Sequence, residues 1–121
     1  MARFLRFWLI LPLALLWLSP AHAEPATQAG LSFIAAAELP AEARDTLRAI
    51  KQGGPFAYER DGAVFGNYER KLPKKPRGYY HEYTVRTPGA RNRGARRIIS
   101  GEVNEYYYTA DHYKSFKRIR E

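Results

Sequence analysis

Two hydrophobic spacings divide this chain. Between Leu39 and Gln52, Ala43, Leu47 and Ile50 fall at i, i+4 and i+7, an apolar stripe suited to packing a helix on a sheet. Pro40 fits the first helical turn, Glu42 and Asp45 favour the positive end of the dipole, and Arg48 and Lys51 favour the other end. Gly53-Gly54-Pro55 stops the run. From Tyr79 the period becomes two. Tyr79, His81, Tyr83 and Val85 alternate with Tyr80, Glu82, Thr84 and Arg86, which predicts a strand over 79–86.

Further strands are predicted over Arg96–Ser100, with Ile98 and Ile99 on opposite faces, and over Tyr106–Thr109 and Ser115–Ile119. A turn at Ala110-Asp111-His112 separates the last two. Asp61-Gly62 turns the chain before Ala63-Val64-Phe65, and Leu72–Gly78 is a Pro/Lys-rich loop. One early helix followed by several strands argues an α+β fold, one N-terminal helix packed on a small antiparallel β-sheet.

The N-terminal pattern is of another kind. Arg3 and Arg6 precede an apolar run from Phe7 to Leu18, and Ala21-His22-Ala23 supplies a small-x-small cleavage pattern. That run is short beside the ~20 residues a membrane span needs, so residues 1–23 are expected to be a signal peptide removed near Ala23, not a membrane anchor. Residues 24–38 then form a lead-in, polar and poorly ordered over Glu24–Gly30, and residues 39–121 form the single domain. The expected product is secreted, to the periplasm or the medium.

Composition narrows what such a domain can do. Without Arg3 and Arg6 it keeps 18 basic residues against 12 acidic ones, a net charge of +6. A small cationic exported protein suits a polyanionic partner. The chain has no cysteine, so no disulfide or thiolate ligand is available, and its nine tyrosines and the four phenylalanines beyond the leader must supply much of the buried area. Beyond the leader only His81 and His112 remain as histidines, with no paired-ligand spacing, and no phosphate-cradling loop or nucleophile elbow occurs. No metal and no cofactor are expected.

What remains is Glu82 in an alternating strand, His112 in a turn, and between them the basic residues Arg91, Arg93, Arg96 and Arg97 around a glycine. Alone, each has an ordinary reading: a solvated glutamate on an open sheet face, a turn histidine, a solvated basic loop. Together they match the needs of metal-free RNA cleavage. A base must take the 2′-OH proton, an acid must protonate the leaving 5′-oxygen, and cations must meet the phosphorane-like transition state. Glutamate and histidine have reference pKa values of about 4.3 and 6.5, which an environment can tune toward working pH. Arginine offers bidentate donors to the phosphate oxygens.

Several ordered blocks, Tyr79-Tyr80-His81-Glu82-Tyr83-Thr84-Val85, Thr87-Pro88-Gly89-Ala90-Arg91, Arg93-Gly94, Arg96-Arg97-Ile98-Ile99 and Tyr107-Tyr108-Thr109-Ala110-Asp111-His112-Tyr113, resemble the guanyl-specific microbial ribonucleases of the barnase and Sa type. The likeness runs from about Leu39 to Ile119. It implies the microbial ribonuclease fold, with Glu82 as general base, His112 as general acid, Arg97 stabilising the transition state and Arg93 as a second phosphate contact. It also implies a guanine site at Phe65-Gly66-Asn67-Tyr68-Glu69. There Glu69 would accept from the guanine edge, amides around Asn67 and Tyr68 would hold its carbonyl, and Phe65 and Tyr113 would flank or stack on the base.

The chain departs from that pattern in three places. Tyr68 stands where relatives commonly carry arginine, and the terminal disulfide of Sa-type relatives cannot form here. Lys71, Lys74, Lys75 and Arg77 make an unusually basic loop. The implied activity is cleavage of single-stranded RNA 3′ to guanosine through a 2′,3′-cyclic phosphate to a 3′-phosphate, by a monomer. The alternatives are a non-catalytic cationic binder of RNA or anionic surfaces, and an antibacterial toxin matched by a small acidic barstar-like inhibitor.

Overall fold

A computed structural model describes residues 30–121 of the chain, so the expected leader and most of the lead-in lie outside the described residues. Strand β1 is Ser32–Ala35, helix α1 Ala41–Gln52, β2 Ala63–Val64, β3 His81–Thr84, β4 Arg97–Ser100, β5 Tyr106–Thr109 and β6 Lys117–Arg120. A short 3₁₀ turn at Ala36–Glu38 connects β1 to the segment entering α1. The strands form one six-stranded sheet in the order β1-β6-β5-β4-β3-β2.

The α+β class holds, with one correction: the sheet is mixed. Every pair from β2 to β6 is antiparallel, but β1 runs parallel to β6, with Phe33 beside Arg118 and Ile34 beside Ile119. The structured unit therefore starts upstream of Leu39, inside the expected lead-in. Ser-Phe-Ile-Ala has no run of alternation to announce a strand; it becomes one because β6, at the far end of the domain, offers it a free edge.

Helix α1 starts two residues later than its hydrophobic pattern suggests. Leu39 is extended, and the Pro40 carbonyl accepts from the Arg44 amide at 3.0 Å. At the other end Gly53 takes a left-handed φ of 78°, and the amides of Gly53 and Gly54 donate to Ile50 and Ala49. This closes the last turn in the manner glycine permits.

The sheet is covered on both faces. Ala43 and Leu47 of α1 pack on Val85, Ile98, Tyr108 and Ile119, joined by Leu39. On the opposite face Leu72, Tyr80, Ile99, Tyr107 and Phe116 form a second core beneath the 65–80 segment. Ile98 and Ile99 thus enter different cores, as alternation demands, and each contributes ~1.5–3 kcal/mol by burial. Register carries this further: Glu82 lies beside Ile99, which lies beside Tyr107, while Thr84, Arg97 and Thr109 form the next row on the same face. The second core and the candidate catalytic groups share one surface.

Candidate active site

Glu82 is only 6% exposed, which overturns its reading as a solvated glutamate on an open face. The turn before β2 is fastened to the backbone of its strand. The Gly62 amide donates to the Glu82 carbonyl at 2.8 Å, and Asp61 accepts from the Thr84 amide at 2.8 Å. A buried carboxylate needs compensation. Its Oε1 stands 3.5 Å from Arg60 Nε and 3.9 Å from an Arg93 guanidinium nitrogen. The same Arg93 nitrogen donates to Thr84 Oγ1 at 3.2 Å, which fixes that cation to the strand.

Arg97, in the row beside Glu82, is 2% exposed. One guanidinium nitrogen donates to the carbonyls of Gly94 at 3.0 Å and Arg96 at 2.8 Å, and the group lies 5.9 Å from the centre of the Tyr113 ring. Its buried Nε has no partner. A desolvated donor with nothing to donate to is costly.

His112 is exposed, in a turn held from several sides. Its amide donates to the Ala95 carbonyl at 2.9 Å, and the Tyr113 amide donates to Thr109 Oγ1 at 3.1 Å. Both residues have left-handed φ, 54° and 71°, a conformation side chains other than glycine adopt at a cost. Asp111 offsets this cost. Its carboxylate accepts from the Ser115 amide and hydroxyl and from Thr109 Oγ1, and the bonds from Ser115 hold its pKa down to about 2. The Tyr113 hydroxyl sits where Glu82 and Arg97 both act on it. Burial raises its pKa, the Glu82 charge adds to the rise, and Arg97 opposes it.

Beside these groups opens a cavity of about 330 Å³, lined by Phe65, Gly66, Asn67, Tyr68 and Glu69 and reaching Glu82 and Tyr113. It is large enough for one nucleobase and its sugar. Asn67 shapes it. With φ of 51° the residue turns the chain back, and its side-chain amide and carbonyl pair with the Leu72 carbonyl at 2.9 Å and amide at 3.1 Å. Tyr68 is 82% exposed, yet its ring lies against Gly66 so closely that a Cβ on Gly66 would stand 2.5 Å from it. Arg77 donates to the Tyr68 hydroxyl at 2.9 Å. Phe65 and Tyr113 stack on each other with centroids 5.2 Å apart, both on the cavity wall.

The structure gathers the residues singled out from sequence in two linked places. Phe65, Gly66, Asn67, Tyr68, Glu69, Glu82 and Tyr113 line the cavity, while Arg93, Arg97 and His112 stand outside it. Arg60 escaped the sequence reading. Its signal was its place just before the Asp61-Gly62 turn, because pairing Ala63 with Glu82 carries that turn to the carboxylate. Among the described residues no three His, Cys, Asp or Glu side chains gather as a metal site requires.

A family model for ribonucleases matches residues 22–120. The chain belongs to the ribonuclease family. Guanyl-specific ribonuclease Sa3 of Kitasatospora aureofaciens is 61% identical over 82 residues, which cover 67% of this chain and 58% of that protein, so the chain spans a little over half of that relative. Guanyl-specific ribonuclease St of Saccharopolyspora erythraea is 52% identical over 88 residues, 73% of this chain and 87% of the relative. Among solved structures, ribonuclease Sa2 with guanosine-2′-cyclophosphate is 49% identical with a TM-score of 0.71, over 74% of this chain and 96% of the other. The helix-on-sheet fold of this chain is thus shared with ribonuclease Sa2.

Proposed function

We propose that this ribonuclease is a guanyl-specific endonuclease that cleaves single-stranded RNA 3′ to guanosine by metal-independent acid–base catalysis. The observation that carries the reading is the buried Glu82 carboxylate between two guanidinium groups, one row from buried Arg97 with its unpaired Nε, at the edge of a nucleotide-sized cavity. Relatives named guanyl-specific support it, as do solved structures of ribonuclease Sa2 with guanosine-2′-cyclophosphate and with 3′-GMP.

In the first step Glu82 takes the proton from the 2′-OH as that oxygen attacks phosphorus. His112, as imidazolium, gives its proton to the 5′-oxygen as the P–O5′ bond breaks, leaving a 2′,3′-cyclic phosphate. In the second step the roles reverse: His112 deprotonates water, the P–O2′ bond breaks, and Glu82 returns its proton to the 2′-oxygen. Arg97 and Arg93 donate to the non-bridging oxygens. Because the nucleophile is the substrate's own 2′-OH, DNA is not cut. Glu69 and the amides near Asn67 and Tyr68 read guanine, with Phe65 and Tyr113 against the base.

The enzyme acts as a secreted monomer after cleavage of its leader near Ala23, and its cationic site suits a small acidic inhibitor of the barstar kind. Digestion of GpC, ApC and UpC in EDTA by residues 24–121 tests the reading. GpC cleavage should survive chelation and exceed the other two, and Glu82→Gln and His112→Ala should each reduce it by ~10²–10⁴-fold. Loss on chelation would sink the metal-free mechanism. A non-catalytic binder would show no cleavage for either variant to remove.

A further inference from the structure

The cavity and the loop beside it carry positive charge to which the guanine reading assigns no role. In the reading proposed above, Glu69 and backbone amides meet the guanine edge. Lys71 and Arg77 nevertheless line the cavity, and Lys74 and Lys75 continue the same charge along the loop outside it. Among the described residues none of these four has a carboxylate within ion-pairing distance. Four like charges in seven residues repel one another, and that cost is met when a polyanion lies across them.

The loop is also held in shape before any ligand arrives. Asn67 grips Leu72 at both amide and carbonyl. The Tyr80 hydroxyl donates to the Pro73 carbonyl at 2.5 Å, and the Tyr79 amide donates to the Pro76 carbonyl at 3.1 Å. Pro73 and Pro76 fix two φ angles, and Lys75 lies 5.2 Å above the Tyr79 ring. Cations displayed on a preformed loop lose less entropy on binding than cations on a flexible one.

Position gives the track a direction. Arg93, Arg97 and His112 stand away from the cavity, whereas Lys71 and Arg77, at the two ends of the basic loop, form part of its wall. A guanosine with its base in the cavity and its 3′-phosphate toward Arg97 leaves the nucleotides on its 5′ side to depart over Lys71, Lys74, Lys75 and Arg77. We infer that this loop is a phosphate track for the RNA 5′ to the cleaved guanosine, an inference that rests on the ribonuclease reading. The enzyme is thereby fitted to long single strands more than to dinucleotides.

The test uses oligonucleotides made uncleavable by 2′-deoxyguanosine, with three uridines added on the 5′ side or on the 3′ side, and fluorescence anisotropy as readout. The 5′ extension should tighten binding at least tenfold over the deoxyguanosine–cytidine dinucleotide, and the 3′ extension should add less. Lys74→Glu/Lys75→Glu should abolish that gain and lower the salt slope for the 5′-extended strand by roughly 1.4, about 0.7 for each phosphate no longer neutralised. GpC cleavage by this variant should be unchanged. Equal gains from both extensions, or no effect of the variant on the 5′ gain, would overturn the track. Loss of binding to anionic phospholipid vesicles, with oligonucleotide affinity intact, would assign the loop to membranes instead. Failure of the parent protein to cut GpC would count against the ribonuclease reading alone, since the binding arms need no turnover.

Discussion

Asp111 accepts two hydrogen bonds from Ser115, from its amide at 2.9 Å and its hydroxyl at 2.6 Å, and so closes the turn that presents His112. The carboxylate never meets the substrate in the proposed reaction; it is a positioning residue. Asp111→Ala frees two consecutive left-handed residues to relax, and displacement of His112 by about an ångström should reduce kcat by up to ~100-fold. GpC turnover under saturating substrate checks this, with KM moving much less than kcat.

The same carboxylate makes folding sensitive to acid. Its folded pKa of about 2 lies below the unfolded value near 4, so its contribution is present above about pH 4 and is lost as pH falls toward 2. Thermal melts of Asp111→Asn should accordingly show a shallower decline over that interval than the parent protein. Parallel curves would contradict the assignment.

Arg97 answers to both stability and chemistry. Arg97→Lys retains charge but loses the planar fork, so it should cut kcat/KM by ~10²–10³-fold. Inorganic phosphate gives a second measurement. At a hundred times its Kd it should stabilise the parent by ~2.7 kcal/mol, and Arg97→Lys should forfeit most of that rise in Tm.

Asn67 combines a left-handed backbone with two side-chain bonds to Leu72. Asn67→Ala loses both bonds and keeps the backbone cost, for a destabilisation of ~1–3 kcal/mol. Asn67→Gly relieves the backbone and should be milder. Both should raise KM for GpC, since the residue shapes the cavity wall between Phe65 and Glu69. Denaturant midpoints and Michaelis curves separate the two effects.

Gly66 and Tyr68 should behave as a coupled pair. A methyl on Gly66 collides with the Tyr68 ring, so Gly66→Ala should raise KM for GpC, and the added Tyr68→Ala should recover much of the loss. Additive effects would show that the ring does not rest on Gly66 in solution. In the same assay Glu69→Gln should reduce the preference for GpC over ApC at least ~10-fold, because a site built to hydrogen-bond one base edge discriminates through that bond.

Much of this is legible in the sequence. The spacing of Ala43, Leu47 and Ile50 locates the helix, alternation locates β3, β-rich runs locate β4 and β5, and period two sends Ile98 and Ile99 to opposite cores. These features are local, so the chain writes them locally. Strand β1 is not legible, because its pairing with β6 spans nearly the whole domain. Glu82 is misread in isolation: alternation gives its face, but not the Arg60 guanidinium that the Asp61-Gly62 turn brings beside it, nor Arg93 and Tyr113. Arg60 goes unseen for the same reason. Its significance comes from that turn and not from its neighbours in sequence.

The pairing of β1 with β6 also sets the order in which the molecule can be finished. Of the described strands, the first made pairs with the last made, and His112 and Tyr113 lie just ahead of that last strand. While the chain is still being synthesised, the sheet lacks its closing edge and the proposed acid lacks its settled turn. Until β6 has been made, the proposed site is therefore incomplete.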